Sequence, residues 1–267
     1  MDVFSEAELR VKFLQARTTW FQSILSSIPT KDAYMHITRV VEACRVHLFD
    51  IVTQYRAIFS DEDPISSITA RDTSEPMGAI FYSWVTSRVS DFLHLLEADL
   101  QRDMGGRIDS AVGPAAMLMS SLTAEENLRP PFSLLEFEPL AQYCNGVLTA
   151  FNELRLCACL SIAKDVTLSL RRSLERVVTA IVGFYAAEES TLTEKESEAF
   201  SRFSSGFANE LVPFLDRCLS VLFPSSQIAT VLGLPATQVI RMDNMGHLNC
   251  DDIVAPMKHL VSDLPQL

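Results

Sequence analysis

The segment HITRVVEACRVHLFDIV, residues 36–52, decides the fold class, because it could hold a ligand cluster or the middle of a long helix. Cys44, His47 and Asp50 are spaced three residues apart, so a helix would place them along one side. A zinc site, however, requires four convergent ligands with supporting partners. His36, the next candidate ligand, lies about three turns away along the axis. We therefore predict no metal site in this segment.

An apolar stripe runs through the same segment and continues beyond it. Its members follow one another in steps of three and four residues, which is the spacing of one helix face. Cys44 belongs to this stripe and fits a small buried side chain, whereas His47 lies at its edge, where it can pair with Asp50. We predict a helix over about residues 31–59. Its core positions are Ala33, Ile37, Val40, Cys44, Leu48, Ile51, Tyr55 and Ile58.

The preceding helix is predicted from its end signals. Ser5 and Glu8 form a capping box and Pro29 stops the pattern, so this helix spans about residues 5–27. Its apolar residues fall on two seams, although a helix that rests on one neighbour needs only one. We therefore predict two neighbours for it. The first seam contains Leu9, Phe13, Ala16, Trp20 and Ile24, and the second seam contains Leu14, Phe21, Leu25 and Ile28.

The rest of the chain repeats the helical period. Thr193 and Glu196 form another capping box, and Pro213 predicts a bend. Long helices with mostly short connections predict an all-α fold, an elongated bundle or stacked rod of long antiparallel helices. The predicted helices span about residues 76–104, 140–156, 162–188, 194–222, 226–232 and 251–261. We expect an amino-terminal helical part (1–104), a poorly patterned linker (105–136) and a carboxy-terminal helical part (137–267).

The composition restricts the classes of function. The net charge is −12 and no basic run is present, which argues against nucleic-acid binding. The six cysteines are scattered through apolar helical patterns, as the free thiols of cytosolic proteins are. The amino terminus lacks the basic and apolar regions of a signal peptide, and the apolar runs are too short to span a bilayer. We expect a soluble, cytosolic protein.

Two further clusters contain residue types that bind metals or protons. Cys157 and Cys159 form a single Cys-x-Cys pair, which is a weak metal signal. The segment DNMGHLNCDD, residues 243–252, is a better candidate, because a loop can bring ligands together. It also has the pattern of an ordinary helix start, with Asn249 as the cap followed by two aspartates. The candidate ligands there are Asp243, His247, Cys250 and Asp251.

No motif for catalysis is present. The sequence has no P-loop, nucleophile elbow or His-Glu-x-x-His motif. We predict that the protein is not an enzyme and has no catalytic, cofactor-binding or metal-binding residue. Long two-seamed helices and a mean hydropathy of +0.17 favour an interaction scaffold. The alternative is a helical bundle that binds a small apolar ligand or lipid, which would require an enclosed apolar cavity.

Several blocks of the sequence resemble one family. VKFLQARTTWFQSILSSIPTKDAYMHITRVVEACRVHLFDIVTQYRAIFSDEDP (11–64), LRLCACLSIAKDVTLSL (154–170) and FANELVPFLDRCLSVLFPSSQIATVLGLPATQ (207–238) resemble subunit 8 of the conserved oligomeric Golgi complex, as does NMGHLN (244–249). The resemblance implies a non-enzymatic subunit of helical rods, peripheral on the cytosolic face of Golgi membranes. It implies a role in intra-Golgi retrograde vesicle tethering and so in glycosylation. The implied partners are subunits 5, 6, 7 and 1 and the membrane-fusion machinery.

The chain departs from the family pattern in length. It resembles the carboxy-terminal half of the family, and several dozen helical residues of the pattern are missing between GGRIDS (105–110) and PPFSLLEFEPLA (130–141). A missing helix leaves the faces of its neighbours uncovered. We expect one seam of the first helix to pack on the second helix and the other to face a partner. The candidate partner-facing residues are Leu14, Trp20, Phe21, Leu25 and Ile28.

Overall fold

The computed structural model describes residues 4–59, 78–104, 128–157, 160–242 and 245–261, and these residues form helices and short connections without a strand. The all-α prediction is therefore confirmed. The α-helices are α1 (Glu6–Ser27), α2 (Ala33–Ala43), α3 (Phe49–Ile58), α4 (Gly78–Met104), α5 (Glu138–Cys157), α6 (Ala163–Glu188), α7 (Glu194–Ser205), α8 (Val212–Leu222), α9 (Ser225–Leu232), α10 (Ala236–Ile240) and α11 (Cys250–Val254). Short 3₁₀ turns occupy Phe132–Glu136, Leu160–Ile162 and Ala255–Met257.

The helix starts follow the capping signals of the sequence. The Ser5 hydroxyl accepts a hydrogen bond from the Glu8 backbone N–H, and the Glu8 side chain accepts one from the Ser5 N–H. Thr193 and Glu196 form the same reciprocal pair at the start of α7. Both predicted capping boxes are confirmed. Each satisfies amide groups that have no partner within the helix.

Two π-helical turns interrupt the long helices. The first, Cys44–Leu48, joins α2 to α3, and the second, Gly206–Leu211, joins α7 to α8. In the second turn the Val212 N–H donates to the Phe207 carbonyl five residues earlier. Pro213 follows directly and has no N–H for an α-helical bond. A π turn therefore immediately precedes the helix that contains Pro213, and the bend at Pro213 stays a prediction.

The structure corrects the last position of the predicted stripe of the second helix. Ile58 was expected in the core, but it is 60% exposed, whereas Phe59 is buried. Ile51 and Tyr55, which also follow the π turn, are buried as predicted, so the departure is confined to the end of the helix. The helix then ends, since Phe59 adopts an extended backbone conformation and its ring packs on Tyr55 and Phe13.

The centre of the packing is α4. It contacts α1, α2 and α5, and its most extensive contact is with α6. Polar groups join α4 to α6 as well, since Arg176 donates to the buried carboxylate of Glu97 at 3.1 Å. One continuous apolar core therefore includes helices from both predicted parts of the chain. The division at 104 and 137 stays a prediction, and residues 105–127 lie outside the described part.

Within the described ranges, no helix combines the length and the apolar character that crossing a membrane demands.

Candidate interaction surface

The second seam of α1 packs inside this chain. Leu14 and Phe21 are each only 3% exposed and belong to the core. Leu25 and Ile28 are half-buried against the same core. The structure thus corrects the assignment of Leu14 and Phe21 to a partner-facing seam, because α2 and α4 already cover this side of the helix.

The first seam of α1 is the exposed one. Leu9 is 45% exposed and Trp20 is 40% exposed, while Phe13 and Ile24 are half-buried. Leu9 and Trp20 are eleven residues apart, so they lie on the same side of α1, about three turns or 16 Å from each other. We call Leu9, Ala16 and Trp20 the outer seam. Of the predicted partner-facing residues, only Trp20 belongs to it.

Two neighbouring side chains fix the position of the Trp20 ring. Its ring meets the His47 imidazole edge-on, with the centroids 5.2 Å apart, and the Arg17 guanidinium lies 5.9 Å from the indole centroid. Arg17 also donates to the Gln54 side-chain oxygen, and the Gln54 amide donates to Asp50 at 3.0 Å. His47 and Asp50 therefore do not pair as predicted. His47 contacts the Trp20 ring instead, and Asp50 accepts from the Gln54 amide.

The rotation of α1 is fixed by two long-range polar contacts. Arg10 is 2% exposed and donates to the Tyr55 hydroxyl at 3.1 Å, with its guanidinium carbon 5.0 Å from the Phe59 ring centroid. The Trp84 indole N–H donates to the Thr18 hydroxyl at 2.7 Å. These contacts tie α1 to α3 and α4. They turn the second seam inward and leave the outer seam accessible.

Neither contact was predicted from the sequence. Arg10 is a charged residue in the second turn of α1 and gives no sign of burial by itself. The available signal was Tyr55 and Phe59, an aromatic pair four residues apart, because a buried cation needs ring faces or hydroxyl groups nearby.

The predicted ligand cluster at residues 243–252 is in part a helix start. The Asn249 side chain accepts from the Asp252 N–H and caps α11. His247 lies 2.9 Å from the Asp216 carboxylate, and burial raises the pKa of the Cys250 thiol to about 11, so that thiol is protonated at neutral pH. Asp243 lies outside the described residues, as do Cys159 and the side chain of Cys157. In the described ranges, no three His, Cys, Asp or Glu side chains are grouped as a metal site requires.

Two cavities are relevant to the alternative function, a helical bundle that binds a small apolar ligand or lipid. The first is an apolar groove of about 300 Å³ between α5 and α8. The second holds about 500 Å³ beside α6, α8 and the loop before α11, and includes Arg171, Asp216 and His247. Both are open to solvent. Neither is the enclosed apolar cavity that a lipid or small apolar ligand would need.

Comparison with known proteins gives one family. Residues 1–125 match the model of the Dor1-like family. Conserved oligomeric Golgi complex subunit 8 of Mus musculus is 42% identical over 98% of this chain, and the Homo sapiens protein of that name is 41% identical over 98%. The Drosophila melanogaster protein of that name is 31% identical over 98%. No solved structure matches the chain.

The helices and the outer seam define an all-α protein that presents an apolar helix face to its surroundings. Within that class, the chain is similar to subunit 8 of the conserved oligomeric Golgi complex, and its residues 1–125 match the Dor1-like family. The resemblance seen in the sequence is thereby confirmed. The matched regions make up 50%, 53% and 56% of the mouse, human and fly proteins, so the chain spans about half the length of the curated relatives it matches.

The alignments also show a difference inside the matched region. They extend over 322 positions with the mouse and human proteins, whereas this chain has 267 residues. The relatives therefore carry at least 55 residues that have no counterpart here. The lengths give the number of these residues, and the missing segment between residues 110 and 130 stays a prediction.

Proposed function

We propose that the chain is a non-enzymatic scaffold subunit of a Golgi vesicle-tethering complex. In this role it acts in intra-Golgi retrograde transport, and so in the maintenance of glycosylation. The observation that carries the proposal is the 42% identity to a conserved oligomeric Golgi complex subunit over 98% of the chain. Identity of this degree across every described helix supports a shared helical framework.

The proposed partners are the other subunits of that complex. Subunits 5, 6 and 7 would lie in the same lobe, and subunit 1 would bridge to the other lobe. The membrane-fusion machinery would be a further partner of the assembly. The chain would sit on the cytosolic face of Golgi membranes, held peripherally through the complex.

The outer seam of α1 is the proposed contact with a partner subunit. Trp is among the residue types that contribute most to protein–protein interfaces. Trp20 is exposed on one side, while His47 and Arg17 fix its ring from the other. A side chain that is already ordered loses little conformational freedom on binding, which favours affinity. Leu9 extends the same apolar face toward the amino end of α1.

Affinity purification of the full tagged chain from cells, with quantitative mass spectrometry, tests the proposal. We expect subunits 5, 6 and 7 to be recovered. Trp20→Asp and, separately, Leu9→Asp should lower their recovery about tenfold, as a loss of about 1.4 kcal/mol of binding free energy would. Ile240→Asp is the matched control, because Ile240 is 55% exposed on α10, away from the outer seam.

The outcomes separate the two parts of the proposal. If the folded wild-type chain recovers none of the three subunits, the scaffold function is wrong. If both α1 variants recover the subunits as well as Ile240→Asp does, the outer seam is not the contact. Circular dichroism of each purified variant establishes that a loss of partners does not come from unfolding.

A further inference from the structure

The outer seam of α1 has the spacing of a coiled-coil seam. Leu9 is followed by the half-buried Phe13, then by Ala16 and Trp20, in steps of four, three and four residues. Helices with this spacing pack along a narrow line on a neighbouring helix, and each large side chain enters a hole between four residues of the other helix. The spacing therefore favours a helix as the occupant of the seam.

Ala16 leaves a depression in the middle of the outer seam. Its small side chain is exposed. The neighbours three and four positions away on the helix surface are all larger: Lys12, Phe13, Thr19 and Trp20. Arg17 lies beside the two rings, with its guanidinium carbon 5.4 Å from the Phe13 centroid and 5.9 Å from the Trp20 centroid. A large side chain of an opposing helix fits over Ala16, between these two rings.

The border of the outer seam is positively charged. Residues 9–31 contain no Asp or Glu, although 34 of the 267 residues of the chain are acidic. Lys12 is exposed on one side of the seam, where its ammonium lies 4.3 Å from the Phe4 ring centroid, and Arg17 lies on the other side. Charges at such flanking positions of a coiled coil select the partner. These two cations select carboxylates.

Carboxylates at both margins of the seam are engaged within this chain. At the start of α1, Glu6 forms an ion pair with Arg10 at 2.8 Å, and Glu8 belongs to the capping box. On the side of α3, Asp50 accepts from the Gln54 amide at 3.0 Å. The charge of Lys12 and Arg17 is therefore available to carboxylates of another molecule.

Two other occupants fit the seam less well. A second copy of α1 would bring Lys12 and Arg17 of both chains together, and like charges at an interface cost binding free energy. A bilayer with anionic lipids would attract these cations, but it favours a helix with a broad apolar face. Lys12, Arg17 and Thr19 restrict the apolar face of α1 to a single line.

We propose that one acidic amphipathic helix of a partner subunit covers the outer seam of α1. It packs along the seam as in a coiled coil, inserts a large apolar side chain over Ala16 and places carboxylates opposite Lys12 and Arg17. This inference rests on the proposed function, since it names the chemistry of the partner at the same surface.

Zero-length crosslinking of the purified complex tests the proposal. The tagged full chain is recovered with its partner subunits, and a carbodiimide joins lysine amines to carboxylates in direct contact. Mass spectrometry should identify Lys12 bound to an Asp or Glu of a partner subunit, in a segment whose apolar residues recur every three and four positions. Changing that carboxylate to Lys should restore the recovery that Lys12→Glu loses.

Two variants of the full chain test the charge and the depression separately. Lys12→Glu should lower the recovery of the partner subunits about threefold, as expected for reversal of one charge at an interface rim. Arg241→Glu is the matched control, because Arg241 is exposed at the end of α10. Ala16→Leu should lower the recovery as well, since it fills the depression. On vesicles containing phosphatidylserine, the same change would strengthen a membrane contact.

The outcomes distinguish this proposal from the proposed function. If the folded chain recovers no partner subunit, the scaffold function is wrong and the acidic helix with it. If the subunits are recovered equally by Lys12→Glu, Ala16→Leu and Arg241→Glu, and Lys12 forms no crosslink to them, the acidic helix alone is wrong. Stronger vesicle binding by Ala16→Leu, with unchanged recovery of subunits, would overturn it in favour of a bilayer surface.

Discussion

The two long helices α1 and α6 are similar in length and differ in how the chain uses them. α6 has 26 residues and buries nine of them, and α1 has 22 residues and buries three. α6 lies between α4 and the carboxy-terminal turns, so its apolar face is enclosed. α1 rests on α2 and α4 along one seam and depends on polar contacts for the rest. The central helix α6 is therefore stabilised mainly by burial of apolar side chains, whereas α1, at the margin, depends more on polar contacts that fix its rotation.

The largest effect is expected in α6. Leu174 is fully buried there, and Leu174→Ala should lower the free energy of unfolding by about 3–5 kcal/mol, because a cavity remains in a closely packed core. Urea denaturation measures the change. Leu9→Ala on the outer seam of α1 is the control and should change stability by about 0.5 kcal/mol or less. Equal losses in the two variants would contradict the distinction between the helices.

The next effect concerns the orientation of α1. Arg10→Ala removes the hydrogen bond to Tyr55 and the contact with the Phe59 ring, and should cost about 2 kcal/mol. Lys12→Ala, at an exposed position of the same helix, serves as the control. Hydrogen exchange should show that the α1 amides lose protection while those of α6 keep theirs. Loss of protection in both helices alike would show that α1 is not a marginal element.

A smaller effect is expected at the second polar contact. Trp84→Phe keeps an aromatic ring beside Phe81 and removes the indole N–H that donates to Thr18. We expect a loss of about 1 kcal/mol. A double-mutant cycle with Thr18→Val measures the coupling between the two side chains, which should be about 0.5–1.5 kcal/mol. A coupling energy near zero would mean that this bond does not hold α1 on α4.

The smallest effect is a pH dependence confined to the start of α1. The Ser5 backbone N–H and the Ser5 hydroxyl, which donate to Glu8, lower the pKa of that carboxylate. The unfolded chain therefore takes up the proton first as the pH falls. The stabilisation by Glu8 is present above the ordinary pKa of a glutamate and is lost as the pH falls through the lowered pKa of the folded state.

Residue-resolved hydrogen exchange between neutral and acidic pH measures this change. Glu8→Gln should remove the pH dependence from the first turn of α1 and leave that of α7 in place. The matched variant Glu196→Gln should do the reverse, because Thr193 lowers the pKa of Glu196 in the same way. If Glu8→Gln alters both helices equally, the effect does not come from the cap.

The limits of α1 could be predicted because local chemistry determines them. Ser5, Glu8 and Pro29 act within one turn of their own position, and the helix ends where they indicate. The stripe of the second helix was predicted correctly as far as Tyr55. It was wrong at Ile58 because α3 ends at that residue, and Phe59, in an extended conformation, packs into the core instead.

The choice between the two seams of α1 could not be predicted. Both seams are similarly apolar, and periodicity alone does not distinguish them. Arg10 with Tyr55 and Trp84 with Thr18 decide the orientation, and these partners are 45 and 66 residues apart in sequence. The groove between α5 and α8 could not be predicted from the sequence for the same reason. Its walls, α5 and α8, meet only in the folded chain.

The central position of α4 has a consequence for synthesis on the ribosome. α4 ends at Met104, and α6, its main packing partner, begins at Ala163. At about 5–20 residues per second, translation needs roughly 3–12 s to make the chain that separates the two helices. Among the described helices, α1 and α2 contact the apolar face of the nascent α4 first, and α5 joins them before α6 is made. The first hundred residues should therefore depend on chaperones until the second half of the chain emerges.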